Sequence, residues 1–162
     1  MEQTHKQQAH SVAHFTLTTM VAGCIATLPM TVFLLGIQRI LPGWQRYTLP
    51  PEEVTKELAQ RVHMQHYLDK KRLLASSVVF HFGYGTAMGG LYGLLLGQMR
   101  LPSFLKGVLF GLTIWTASYL GWMPVAHISV AAPREPLQRN LMMITAHIIW
   151  GSAMGVLAKW LA

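Results

Sequence analysis

Apolar residues run along the chain in four long blocks, separated by polar, basic or proline-rich links. The first covers about 12–37, and no Asp, Glu, Lys or Arg falls between Lys6 and Arg39. The second covers 73–99, bounded by Lys70-Lys71-Arg72 and Arg100. The third covers 104–125. The fourth covers 141–161, with Arg139 before it and Lys159 near its end. None of the four holds an acidic residue. A bilayer core of ~30 Å takes about 20 residues of helix. Backbone groups in lipid must be satisfied within the segment, so each block is predicted to be a transmembrane helix. The fold class expected is an all-α membrane protein, one four-helix domain over 1–162.

The links differ in kind. "RLPSF" between the second and third blocks is a tight turn. "MPVAHISVAAPREPLQRN" between the third and fourth is proline-rich and predicted irregular. The long first link carries a helix over about 51–68. Pro51 stands at its first turn, and Glu52-Glu53 suit the positive end of the helix dipole. Val54, Leu58 and Val62 recur every four residues as an apolar stripe, suited to a bilayer surface or to capping the bundle.

Small residues recur with helical spacing. "HFGYGTAMGGLYG" begins at His81 and "HIIWGSAMG" at His147. Both read His-x-x-aromatic-Gly-hydroxyl-Ala-Met-Gly. Positions four apart share a helix face. One face therefore carries His81, Gly85, Gly89, Gly93 and Gly97, and another carries His147, Gly151 and Gly155. The third block adds Gly107 and Gly111, and the first adds Gly23 and Thr27. Such faces let membrane helices approach closely. The second and fourth blocks run in the same direction, and each histidine follows a basic residue (Arg72, Arg139) by eight or nine positions. The expected architecture is two hairpins related by a pseudo-twofold axis along the membrane normal. The register between the first and third blocks is not evident. Pro29 is expected to kink the first span, with Thr27 and Thr31 satisfying freed carbonyls.

Composition agrees with a membrane setting. The chain is 52% hydrophobic and 12% charged, against roughly 25% charged in soluble domains. The net charge of +7 forms no dense stripe, so nucleic acid is not an expected partner. Seven of the thirteen Lys and Arg lie in the first link and two in the third. That bias places these links in the cytoplasm and both termini in the periplasm. The lone cysteine, Cys24, excludes an internal disulfide. Its "VAGC" setting has a lipobox look, but the apolar run continues past it, so it is read as a helix residue.

Intramembrane histidines are functional candidates, because a polar ring in lipid is costly unless paired. His81 and His147 have three readings. Each ring is hydrogen-bonded polar glue; or the two are axial ligands of a haem, with the glycines making room for the macrocycle; or they respond to protons. His5, His10 and His14 are scattered. His63 and His66 lie three apart on the link helix, on a solvated face or at a surface metal. Trp44, Tyr47 and Trp160 read as an interfacial aromatic belt. Trp115, Tyr119 and Trp122 read as packing in the third span. Phosphate loops, CxxC and HExxH are absent, as is any intramembrane carboxylate for acid–base catalysis or an ion relay.

"PPEEVTKELA", "HFGYGTAMGGLYG", "GLTIWTASYLGWMP" and "MMITAHIIWGSAMG" together resemble the small bacterial inner-membrane proteins of the YagU-like, unknown-function kind. The resemblance covers most of the chain after its N-terminal tail. It implies a four-helix inner-membrane protein, a suggested link to survival in acid, and no reaction or substrate. The expected function is non-enzymatic and cofactor-free: a polytopic protein of the bilayer that packs with itself or serves as an accessory subunit of a larger membrane complex. The alternatives are a bis-histidine haem or pigment binder and a small channel, transporter or pH-responsive protein.

Overall fold

Six helices account for the fold in the computed structural model, which describes residues 2–43, 46–97 and 99–161, with side chains from Ser11 onward. They are α1 (Glu2–Ile40), α2 (Pro50–Arg61), α3 (Lys70–Leu96), α4 (Ser103–Thr116), α5 (Met123–Val125) and α6 (Leu137–Leu161). A π-helical segment, Ala117–Trp122, joins α4 to α5. No strand occurs among the described residues. Trp44, His5 and His10 lie outside the described side chains.

The helix ends follow from local chemistry. Asp69 caps α3 by accepting from the Arg72 backbone N–H at 2.8 Å, so α3 starts at Lys70, ahead of its apolar block. The link helix is shorter than its sequence suggests. It stops at Arg61 because His63 takes a left-handed φ of 56°. The backbone N–H groups of His63 and Met64 then bond back to Gln60 and Ala59 at 3.0 and 2.7 Å, a Schellman closure. His127, at φ 55°, closes α5 in the same way onto Pro124 and Met123. His63 and His66 therefore do not share a helix, and the stripe of Val54, Leu58 and Val62 is not what α2 buries. Leu58 and Val62 are exposed, while Pro50, Val54, Thr55 and Ala59 face inward.

Three stretches are long and apolar enough to cross a membrane: Ser11–Ile40, Ser103–Val125 and Leu137–Leu161. The pattern of blocks predicts four. The difference lies in α3, where five glycines, two tyrosines, two serines and His81 dilute the hydropathy. The outer face of α1 (Leu17, Val21, Ile25, Leu28, Val32) is exposed and apolar, as a lipid-facing surface would be. The chain is thus a helical protein of membrane type.

The long helices pack in the order α3, α1, α6, α4. Glycine sets the two outer pairings. A Cβ on Gly89 would collide with the Thr19 carbonyl, and one on Gly23 with the Gly85 carbonyl. A Cβ on Gly107 would collide with the Gly151 carbonyl, and one on Gly155 with the Ser103 carbonyl. Gly85 and Gly93 abut the Thr27 and Thr19 hydroxyls, Gly111 the His147 carbonyl, and Gly97 the Phe15 ring. Helix backbones here touch directly, where dispersion and Cα–H···O contacts act. The register is the same in both pairs. Thr19, Gly23 and Thr27 meet the α3 glycines as Ser103, Gly107 and Gly111 meet α6.

Between the pairs, α1 packs on α6, and the Trp150 Nε1–H donates to the Gly23 carbonyl at 3.2 Å. By contrast α3 and α4, joined by the shortest link, make few direct approaches. Side chains bridge them. Tyr92 meets Phe110 edge to face at 5.4 Å, and Phe110 meets Trp150 at 6.1 Å. The Lys106 ammonium reaches the Leu96 and Met99 carbonyls at 3.3 Å, at the negative end of α3.

Pro29 lies within α1, which stays helical from Glu2 to Ile40. The carbonyl its ring deprives of a donor is that of Ile25. Thr27 and Thr31 donate instead to Gly23 and Thr27, at 2.9 and 2.7 Å. Thr86 and Ser152 likewise donate to their own helices, at Phe82 and Ile148.

A buried ion cluster fixes α2. Arg139 is 8% exposed and holds both Glu53 oxygens at 2.8 and 2.9 Å and Glu135 at 3.3 Å. It also lies 5.6 Å from the Tyr47 ring centroid. Burial pushes the Glu53 carboxyl above its ordinary value of 4.5, and the Arg139 guanidinium offsets part of that rise.

Two predictions follow from this packing. Gly107→Val or Gly151→Val should cost about 1–3 kcal/mol or more by forcing the backbones apart. Gly83→Ala, with nothing within 4 Å of the added carbon, should be neutral or stabilising by up to ~1 kcal/mol. Unfolding midpoints in detergent, followed by circular dichroism, check both. Arg139→Ala should destabilise by about 3–5 kcal/mol by stranding two carboxylates, and more than Glu53→Ala, which leaves Arg139 paired with Glu135. Without Arg139 the folded pKa of Glu53 rises further above its unfolded value. Its protonation then favours the folded state fully below 4.5, and that advantage is lost as pH rises through the folded value. The Arg139→Ala deficit should therefore be larger at pH 8 than at pH 5, as read from unfolding midpoints at the two values.

Candidate functional site

The open seam between α3 and α4 widens at one end into a cavity of about 70 Å³. Every long helix contributes to its wall, and α2 lies across it through Pro50, Pro51 and Val54. Met30, Leu34, Phe80, Ile114, Met123 and Met143 make most of the lining apolar. Asp, Glu, Lys and Arg are absent from it.

The break in α4 shapes this wall. Pro124 has no N–H for the Leu120 carbonyl, and its ring crowds that turn. The helix widens to π geometry over Ala117–Trp122, and Gly121 departs from helical angles at φ −111°, ψ −106°. Ser118 and Tyr119 are both buried by this turn. π-Bulges of this kind occur often at functional sites. The "GWMP" string carries the signal, since a proline inside an apolar block demands a local rearrangement.

His81 and His147 both line the cavity. The repeated motif thus brings its two histidines to one place, at equivalent positions of α3 and α6. Their environments differ. His147 is 8% exposed, and its Nδ1 lies 2.8 Å from the Met143 carbonyl. A carbonyl only accepts, so Nδ1 carries the proton and Nε2 is left as an acceptor. The Tyr119 ring meets His147 edge-on at 6.0 Å. His81 is half-buried, and its ring has no hydrogen-bond partner among the described residues. His147 thus bonds within its own helix, and neither ring meets a hydrogen-bond partner on the first or third span among the described residues.

Ser118, Tyr84 and Thr27 already have partners. Ser118 Oγ sits 3.3 Å from the Tyr84 hydroxyl and accepts from Trp122 Nε1 at 3.3 Å. Thr27 is bonded to Gly23. Tyr119 is 4% exposed, stacked on Trp115 at 6.0 Å, and its hydroxyl has no partner among the described residues. Composition and spacing gave no hint of Tyr119 as a site residue; it reads as packing until the π turn is seen to aim it inward.

The glycines do not make the room expected beside the histidines. Gly85, Gly89, Gly151 and Gly155 are closed by neighbouring helix atoms. Of these four, Gly85 lines the cavity. Gly93, Gly107 and Gly111 are consumed in the same way. No group of three or more His, Cys, Asp or Glu able to hold a metal occurs among the described residues.

No curated protein and no solved structure matches the chain. A family described as "Protein of unknown function (DUF1440)" matches residues 31–156. That span takes in both histidine motifs, the π turn and the Arg139 cluster. By the extent of this match the chain belongs to the DUF1440 family, whose function is unknown.

Proposed function

We propose that the protein is a four-span, multi-pass protein of the bacterial inner membrane that binds a small lipid-soluble molecule in the cavity between α3 and α4 and catalyses no reaction. The observation that carries this reading is the cavity itself. It is apolar, uncharged and lined by five aromatic rings, with a few polar groups converging on it, the usual make-up of a ligand site. The lack of charged groups in the lining supports binding over hydrolysis or ion coupling. In this reading α3 is the fourth span. At 27 residues it is long enough, and several of its less apolar positions are glycines turned toward α1. The YagU-like resemblance supports the inner membrane, and the distribution of Lys and Arg supports periplasmic termini.

A second reading, the accessory subunit or self-associating protein, draws on a different face. Ala75, Ser76, Gly83 and Ala87 of α3 are exposed, and Gly83 has open space around it. A partner helix would pack there. The glycine faces that first suggest association are taken up inside the chain.

One experiment separates the readings. Native mass spectrometry is applied to protein released gently from its own membrane, beside an Ile114→Trp variant that fills the cavity. The expected result is a bound small molecule retained by the wild type and absent from Ile114→Trp. A stoichiometric protein partner with no small molecule would replace the binding reading with the accessory one. A Soret band in the absorption spectrum of the same sample would restore the haem reading.

A further inference from the structure

The polar groups that the cavity leaves unpartnered specify what it would hold. Tyr119 is 4% exposed, and its hydroxyl finds no partner among the described residues. His147 Nε2 is an acceptor in the same wall, because Nδ1 is committed to Met143. His81, half-buried, offers one donor and one acceptor. The cavity thus presents donors and acceptors together and no charge.

Its size narrows the choice. A single water takes roughly 10–15 Å³ of such space, so 70 Å³ holds about five to seven water-sized groups, the oxygen-bearing edge of a six-membered ring rather than a whole substituted one. Aromatic rings pack well on flat partners, and Phe80, Trp122 and Trp150 share the lining with Tyr84 and Tyr119. The mouth lies where α3 and α4 separate, for Trp122 is 37% exposed there and Phe80, His81 and Tyr84 on α3 are half-buried. The oxygen-bearing edge of a ring could enter there, with the rest of the molecule left among lipid chains.

From these observations we infer that the cavity binds the head group of a neutral, lipid-soluble ring compound bearing hydroxyl or carbonyl oxygens, of the quinone and quinol class. The Tyr119 hydroxyl and a His81 N–H donate to a ring oxygen, and His147 Nε2 accepts from a ring hydroxyl. Retention is the role assigned; no electron or proton transfer is included. A carboxylate or phosphate head is disfavoured, because no cation lines the site to offset its desolvation. This inference rests on the binding reading above and adds the class of ligand to it.

The test uses the full chain in lipid nanodiscs free of quinone. Its probes are decylubiquinone, its reduced quinol, and decylbenzene, which has the ring and tail without the oxygens. Bound probe is measured by mass spectrometry after separation from empty discs. The quinone or quinol should saturate at one per chain and bind at least tenfold more tightly than decylbenzene. Tyr119→Phe, and separately His147→Leu, should remove most of that preference while decylbenzene binding stays unchanged. Equal binding of all three probes by the wild type, blocked by Ile114→Trp, would overturn the ligand class and leave the binding reading intact. No saturable binding of any probe would overturn the ligand class, and in that case a molecule still held by the native protein and lost from Ile114→Trp would preserve the binding reading. The wild-type comparison of probes stands even if a variant fails to fold.

Discussion

The fold depends on direct backbone contact between paired helices. At Gly23, Gly89, Gly107, Gly151 and Gly155 a single added carbon would strike a carbonyl or Cα of the neighbouring helix. In lipid there is little hydrophobic gain from joining two apolar helices, so close van der Waals packing has to supply it. The pairing of α1 with α3 and of α4 with α6 follows from where the small residues stand. Trp150 then ties one pair to the other by donating to Gly23, the residue at the centre of the first contact.

This constraint also explains the cavity. A short turn keeps α3 and α4 neighbours in sequence, yet each is drawn tightly to a different partner. The seam between them must be filled by side chains or left open. Tyr92 and Phe110 fill it near the turn. Toward the other end Pro124 widens the helix, and space remains around Tyr119 and the two histidines. The helix α2 lies over that space and is held by Arg139, whose buried pairing with Glu53 and Glu135 makes the link between the first two long helices part of the site rather than a tether.

Much of this was legible in the residues. The apolar blocks, the glycine faces and the shared position of His81 and His147 follow from spacing alone, and the two histidines do meet at one cavity. The register of the first block against the third was hidden because the matching triplets, Thr19, Gly23 and Thr27 against Ser103, Gly107 and Gly111, share only the central glycine. Arg139 read as a boundary charge because its partners, Glu53 and Glu135, are found only once α2 has folded back. The shortening of the link helix turned on a left-handed His63, a conformation that histidine adopts seldom enough to give no warning. Tyr119 needed the π turn to become visible. The status of α3 was the hardest to read, since the glycines that make it pack also lower its hydropathy.

The four-span bundle rests on α3 crossing the bilayer. The direct measurement is side-specific labelling of single cysteines placed at Lys71 and Arg100, with Cys24 replaced by Ser, using a membrane-impermeant maleimide on intact and permeabilised cells. If α3 spans, the two positions label from opposite sides, Arg100→Cys from the periplasm and Lys71→Cys only after permeabilisation. Labelling of both from the same side would contradict a four-span bundle and the lateral cavity built upon it.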